Sequence, residues 1–231
     1  SDEDGNGAES KPYSQSQMVS GTSNSDPITT LVVAPLSLLA QWEEEVQSKS
    51  SLSCLVYYGD QAKKLGESDL AGVDVLITTY GTVQSEYSSR RGILSSSPST
   101  PLLSICFRRV ILDEAHIIKN PNTGASKACC EINAERRWCV TGTPISNSLQ
   151  DVFGLIKFLK HEPWCSKAFW KRAIQTPKVN SKENVEEAKK DIDIDNTAEA
   201  EDIGAVSRER VRRVLQPLLL RRTKDTLTQD G

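Results

Sequence analysis

The chain has 231 residues, of which 37% are hydrophobic, and a formal net charge of −3, which gives enough apolar material for one cored domain. The acidic balance excludes a module that grips nucleic acid by bulk positive charge. No apolar run approaches a membrane-spanning length, and no basic-then-apolar signal pattern opens the chain, so it is expected to work in the cytosol or the nucleus.

In chain order, 1–28 is rich in Ser, Asn, Gly and acidic residues and is almost free of apolar ones. Such a segment buries too little surface to offset its ordering entropy and is expected to be disordered. Thr30-Leu31-Val32-Val33 reads as a strand, stopped by Pro35, and Ser37 is expected to cap a helix through Gln41, Trp42 and Val46. Strands follow at 52–58, which turns at Gly59-Asp60, at 73–79, and at 107–112 after a Ser/Pro loop. Arg137-Trp138-Cys139-Val140 reads as a fifth. A helix over 148–160 places Leu149, Val152, Phe153, Ile156 and Leu159 at helical spacing, and His161-Glu162-Pro163 ends it. The stretch 178–205 is dense in Lys, Glu and Asp and reads as a charged surface insertion, with a solvated helix at 183–190. Strands alternating with helices predict an α/β fold, a largely parallel sheet flanked by helices in three layers.

Six cysteines show no Cys-x-x-Cys spacing, and neither histidine lies at ligand spacing from a cysteine pair. No zinc site is expected. Cys54, Cys106 and Cys139 fall in apolar runs, where a thiol behaves as a small hydrophobe and is expected to be buried.

The chemistry concentrates at strand ends. Asp113-Glu114-Ala115-His116 follows the apolar run Val110-Ile111-Leu112. Carboxylates at the C-terminal end of a strand sit where open α/β sheets place their ligands. In nucleoside triphosphatases an Asp there holds Mg²⁺, and a neighbouring Glu can act as the base that activates water. Three more strands end in Ala34-Pro35-Leu36-Ser37, Thr78-Thr79-Tyr80-Gly81 and Thr141-Gly142-Thr143-Pro144. In a parallel sheet these ends share one edge, and Thr, Gly and exposed amides there can hold phosphate oxygens. Each segment alone also has an ordinary reading. Thr78-Thr79 fits a plain strand end, Thr141-Gly142-Thr143-Pro144 an ordinary turn, and His116 a satisfied structural histidine. Their joint order and placement argue for a site. Two crowded carboxylates repel, so Asp113→Asn is expected to cost little stability.

These strings resemble the first ATPase lobe of a Swi/Snf-type member of helicase superfamily two. The segment from Leu31 through Pro35 and Ser37 to Gln41-Trp42 resembles motif Ia, and Ile77-Thr78-Thr79-Tyr80 resembles motif Ib. Asp113-Glu114-Ala115-His116 resembles motif II, the DEAH-type Walker B box, and Val140-Thr141-Gly142-Thr143-Pro144 resembles motif III. Leu220-Arg221-Arg222-Thr223-Lys224 resembles the block that closes the lobe. With Pro163-Trp164 and Phe169-Trp170, it points to the DNA-damage-tolerance branch containing helicase-like transcription factor and its fungal counterparts.

The resemblance implies a RecA-like lobe over 29–177, with 206–231 closing it and starting the interlobe linker. It implies ATP and Mg²⁺ as cofactors, with Asp113 holding the metal through the nucleotide. Glu114 would polarise the attacking water, and His116 would sense the γ-phosphate. Thr141, Gly142 and Thr143 would couple hydrolysis to lobe movement. Pro35, Ser37, Thr78 and Thr79 would touch the DNA backbone. Arg221 and Arg222 would sit between lobes, although a basic run near a chain end also fits a solvated patch. The implied partners are duplex or fork DNA, the second lobe of the same parent, and ubiquitin-conjugation and sliding-clamp proteins. The implied setting is DNA repair in the nucleus, in a parent that is also a RING ubiquitin ligase.

No Gly-x-x-x-x-Gly-Lys-Ser/Thr string occurs; Gly59-Asp60-Gln61-Ala62-Lys63-Lys64 comes nearest and lacks the second Gly and the hydroxyl. The chain therefore reads as a fragment that should be inactive alone. Two alternatives stay open: a DEAD- or DEAH-box RNA helicase fragment, and a non-catalytic interaction module of the same fold.

Overall fold

Five strands pair in parallel in the order β2-β3-β1-β4-β5. They are β1 (Thr30–Ala34), β2 (Cys54–Tyr57), β3 (Val75–Thr79), β4 (Cys106–Leu112) and β5 (Asn133–Cys139). The computed structural model describes residues 28–92, 100–143, 149–175 and 197–220. The expected disorder before Ile28 and the expected helix at 183–190 lie outside these residues.

Between the strands run α1 (Leu39–Lys49), α2 (Gly59–Ala62), α3 (Glu67–Ala71), α4 (Tyr80–Arg90), α5 (Pro101–Ser104) and α6 (Gly124–Glu131). After β5 come α7 (Leu149–Leu159), α8 (Lys167–Trp170) and α9 (Thr197–Leu215). The alternation of strand side chains sets the layers. Val32, Ala34, Val75 and Ile77 point to one face and pack with Leu39, Trp42 and Val46 of α1. Leu31, Val33, Leu76, Val110 and Leu112 point to the other, into the main core with Tyr80, Val83, Cys129 and Phe158. This is the helix-flanked parallel sheet that the sequence predicts. A satellite cluster joins Val152, Phe153 and Ile156 of α7 to Trp170, Ile174, Val211 and Val214.

Several local expectations change. Ser37 caps no helix: it lies within a 3-10 turn, Leu36–Leu38, and the α-helix that follows is entered without a side-chain cap. The fifth strand already starts at Asn133, ahead of the run Arg137-Trp138-Cys139-Val140 read from the sequence; in its first residues the charged Glu135 and Arg136 hide the periodicity of an edge strand. Its Arg137 stays half-buried by laying its guanidinium 5.2 Å from the centre of the Phe158 ring. Cys106 opens β4 and is exposed, not buried, because it precedes the covered part of the strand. Cys54 and Cys139 are half-buried, and Cys129 takes the core position. Helix α9 begins inside the stretch read as a charged insertion and docks through Ser207, whose hydroxyl donates to Ile174 O at 2.8 Å. Among the described residues, no helix is long and apolar enough to cross a membrane.

One glycine is required by packing. A Cβ on Gly154 of α7 would lie 2.1 Å from Lys119 O and 2.6 Å from Ile118 O. These backbone carbonyls close the turn after β4 and cannot swing aside as a side chain does. Gly154→Ala is expected to cost about 1–3 kcal/mol through overpacking, read as a lower denaturant midpoint with an unchanged slope.

Candidate functional site

Register brings the strand ends to one rim. Ala34 pairs with Thr79, Val33 with Leu112, and Leu112 with Cys139. The next residues, Pro35, Tyr80, Asp113 and Val140, therefore leave the sheet side by side. The backbone continues the joins: Asp113 N donates to Val33 O at 2.9 Å, Val140 N to Leu112 O at 2.8 Å, and Ala115 N to Val140 O at 2.9 Å. Asp113-Glu114 thus abuts Thr141-Gly142-Thr143. Thr141 is half-buried and its hydroxyl accepts from Thr143 N at 3.2 Å, while Gly142 and Thr143 are exposed.

Asp113 is held on every side. Its Oδ1 accepts from Glu114 N at 2.9 Å and its Oδ2 from Trp42 Nε1 at 2.8 Å, and its carbonyl accepts from the Tyr80 hydroxyl at 2.7 Å. Glu114 adopts φ 49° and ψ 46°, a left-handed conformation that is uncommon for non-glycine residues. That twist starts the 3-10 helix Ala115–Ile118 and turns the chain off the strand. His116 Nδ1 lies 3.0 Å from Glu114 Oε2, close enough to pair but not aligned for a hydrogen bond. The residues fit Mg²⁺: each Asp113 oxygen accepts one N–H and keeps a lone pair, and this ion commonly takes one or two protein carboxylates beside phosphate oxygens and water. A cavity of about 330 Å³ lined by Leu38, Gln41, Trp42, Glu45 and Asp113 opens beside this carboxylate.

A larger groove, about 670 Å³, opens at the same rim, and its wall includes Pro35, Leu36, Lys63, Thr79, Gly81 and Thr82. Thr79 caps α4, its hydroxyl accepting from Thr82 N at 3.1 Å. Thr78 is fully buried and its hydroxyl donates to Tyr57 O at 2.8 Å, so the Thr78 side chain holds β2 to β3 and offers no donor to a ligand. Ser37 is exposed on the turn beside Pro35 but lies outside the groove lining.

Glu86 also lines the groove. It is buried, accepts from Tyr57 OH at 2.8 Å and from Leu102 N at 3.0 Å, and ties α4 to β2 and α5. Burial pushes its carboxyl up to about 7 against the lowering effect of those hydrogen bonds. Burial likewise pushes the Cys139 thiol up to about 12, which leaves it an inert packing group.

A family model described as the SNF2-related domain matches residues 8–230. This chain belongs to that family. It is 41% identical over 215 residues to the DNA repair protein rad5 of Emericella nidulans, covering 89% of this chain and 16% of the relative. It is 43% identical over 217 residues to the DNA repair protein rad5 of Neurospora crassa, with 89% and 16% covered. The chain thus spans about a sixth of the length of these relatives. Among solved structures it is similar to the Sulfolobus solfataricus SWI2/SNF2 ATPase core in complex with dsDNA. That match has a TM-score of 0.59 and 28% identity, and covers 86% of this chain and 34% of that one.

Set against the SNF2-type motifs, the structure brings Asp113, Glu114, His116, Thr141, Pro35 and Thr79 to one rim. Pro144, Arg221 and Arg222 lie outside the described residues. Motif reading missed the contacts of Trp42, Tyr80 and Glu86. Trp42 and Tyr80 stand inside motif strings, which was the available signal; Glu86 carries none.

Two outcomes follow. The expectation that Asp113→Asn is tolerated counted only the neighbouring carboxylate. The two oxygens of Asp113 accept from two separate N–H groups, and an asparagine amide turns its own NH₂ toward one of them. This variant is expected to lose about 1–2 kcal/mol, measured by equilibrium unfolding. For Glu86, the native state holds its proton to higher pH than the unfolded chain does. Its stabilising contribution is full below the unfolded carboxyl range and is lost as pH rises through about 7. The melting temperature should therefore carry a downward component between pH 5 and 7.5 that Glu86→Gln removes.

Proposed function

We propose that this chain is part of the first ATPase lobe of a nuclear, DNA-dependent ATP-hydrolysing translocase acting in post-replication DNA repair. In this reading the parent protein also carries a RING ubiquitin ligase, and a second lobe completes its catalytic cleft. Ubiquitin-conjugation and sliding-clamp proteins are then partners of regions other than this one. The observation that carries the reading is Asp113-Glu114 on the rim of the sheet, flanked by motif III on one side and the groove on the other. The relatives named DNA repair protein support the setting, and the solved SWI2/SNF2 core in complex with dsDNA supports the ligand.

Asp113 would hold Mg²⁺ together with the nucleotide, and the ion would supply positive charge to offset the phosphates. Glu114, turned off the strand by its left-handed backbone, takes the proton from the attacking water. His116, whose Nδ1 lies 3.0 Å from Oε2, senses the γ-phosphate beside that carboxylate. The groove wall of Pro35, Thr79 and the first-turn amides of α4 tracks the DNA backbone, since helix N-termini favour anions. Glu86 in that wall titrates near neutrality and so carries only part of a negative charge there. The β- and γ-phosphates also need a Gly-rich loop with a lysine, a string that this sequence does not contain. Alone, this chain is expected to bind ATP poorly and turn it over negligibly.

The test uses the full-length protein. Glu114→Gln should lower ATP turnover by about 10²–10⁴-fold while ATP still binds. Turnover near the normal rate would remove Glu114 as the base. Stimulation of wild-type turnover by RNA but not by duplex DNA would favour an RNA helicase.

A further inference from the structure

We propose that Trp42 is a positioning residue that couples occupancy of the DNA-side groove to the nucleotide site, through its indole N–H on Asp113. The inference deepens the functional reading above and rests on it. Trp42 sits 71 residues from Asp113 in sequence and donates to Asp113 Oδ2 at 2.8 Å. Indole has a single donor and no acceptor, and here that donor meets a carboxylate, so the contact is charge-assisted and directional.

The ring is not free to follow the carboxylate. Trp42 is half-buried and packs with Leu38 and Val46 against the sheet face formed by Val32, Ala34, Val75 and Ile77. Its position is therefore set by α1 and by the 3-10 turn that leads into it. That turn stands between the two openings at the rim: Pro35 and Leu36 line the groove, while Leu38 lines the cavity shared with Trp42 and Asp113. A phosphate seated against Pro35 steadies the turn, hence α1, hence the donor on Oδ2.

A second contact runs in parallel. Tyr80 lines the groove as the first residue of α4, and its hydroxyl donates to Asp113 O at 2.7 Å. Both groove-facing segments thus touch the same residue, Trp42 at the side chain and Tyr80 at the backbone. Coupling between two sites requires an element that both bias. Asp113 and its two donors are such an element. No relay through the distant parts of the core is needed.

The experiment is a coupling measurement on the full-length protein. The affinity for a fluorescent ADP analogue with Mg²⁺ is measured with and without saturating duplex DNA, and the affinity for the same DNA is measured with and without Mg-nucleotide. In the wild type, DNA should tighten nucleotide binding by about 5–150-fold, and reciprocity requires the same factor in the converse titration. Trp42→Phe keeps an aromatic ring against the sheet and removes the N–H; it should bring both ratios close to one. Tyr80→Phe should reduce them in part. If Trp42→Phe does not fold, benzothienylalanine at position 42, which keeps the bicyclic shape and lacks only the donor, decides between packing and hydrogen bonding. A wild-type factor retained in the folded Trp42 variant overturns the proposal and leaves the functional reading standing. A wild type in which DNA and nucleotide ignore each other also overturns the proposal, whereas the functional reading falls only if duplex DNA fails to stimulate wild-type turnover.

Discussion

Parallel pairing of β1 with β3 on one side and β4 on the other is the constraint on which the rest depends. It sets Ala34 level with Thr79 and Val33 level with Leu112, so three chain segments leave the sheet within one residue of each other. Parallel strands need long crossover connections, and those place α1 on one face and α3 to α7 on the other. The rim is therefore not assembled from flexible loops. It consists of the first residues after buried strands, each anchored by the ladder behind it. A slip of one residue would carry every core side chain of a strand to the wrong face, so burial and site geometry are specified by the same register.

On that rim, polar groups are spent mostly on one another. Thr78 bonds to Tyr57 O, Thr79 caps α4, and Asp113 accepts from Glu114, Trp42 and Tyr80. Buried or half-buried polar atoms are costly unless partnered, so a site at a sheet edge must first satisfy itself before it meets a ligand. Glu86 shows the residual cost. Even with Tyr57 OH and Leu102 N on its carboxylate, burial still holds its proton to higher pH.

Membership of the SNF2-related family gives this arrangement its biological frame, and the geometry gives the family motifs a physical content. Motif II and motif III are joined by a backbone hydrogen bond, Ala115 N to Val140 O. Motif Ia reaches motif II through an indole, and motif Ib reaches it through a phenol. The strings that define the family are thus neighbours in space because each ends a strand of one sheet.

Much of this was legible in the one-dimensional chain. Apolar runs such as Leu31-Val32-Val33 and Val110-Ile111-Leu112 declare strands by composition, and the helix at Leu149–Leu159 declares itself by spacing, because both are periodicities within a few residues. The order of polar strand ends then followed from parallel topology, and with it the placement of Asp113, Glu114 and Thr141. The tertiary structure alone decided which of those groups face a cavity and which face the core. Thr78 went inward, and Glu86 became a buried tie between elements. Gly154 came to lie against the backbone after β4. The physical reason is separation along the chain: Trp42 meets Asp113 across 71 residues, Tyr80 across 33, and Tyr57 meets Glu86 across 29. No local pattern encodes such contacts, since they exist only once the register has brought the strands together.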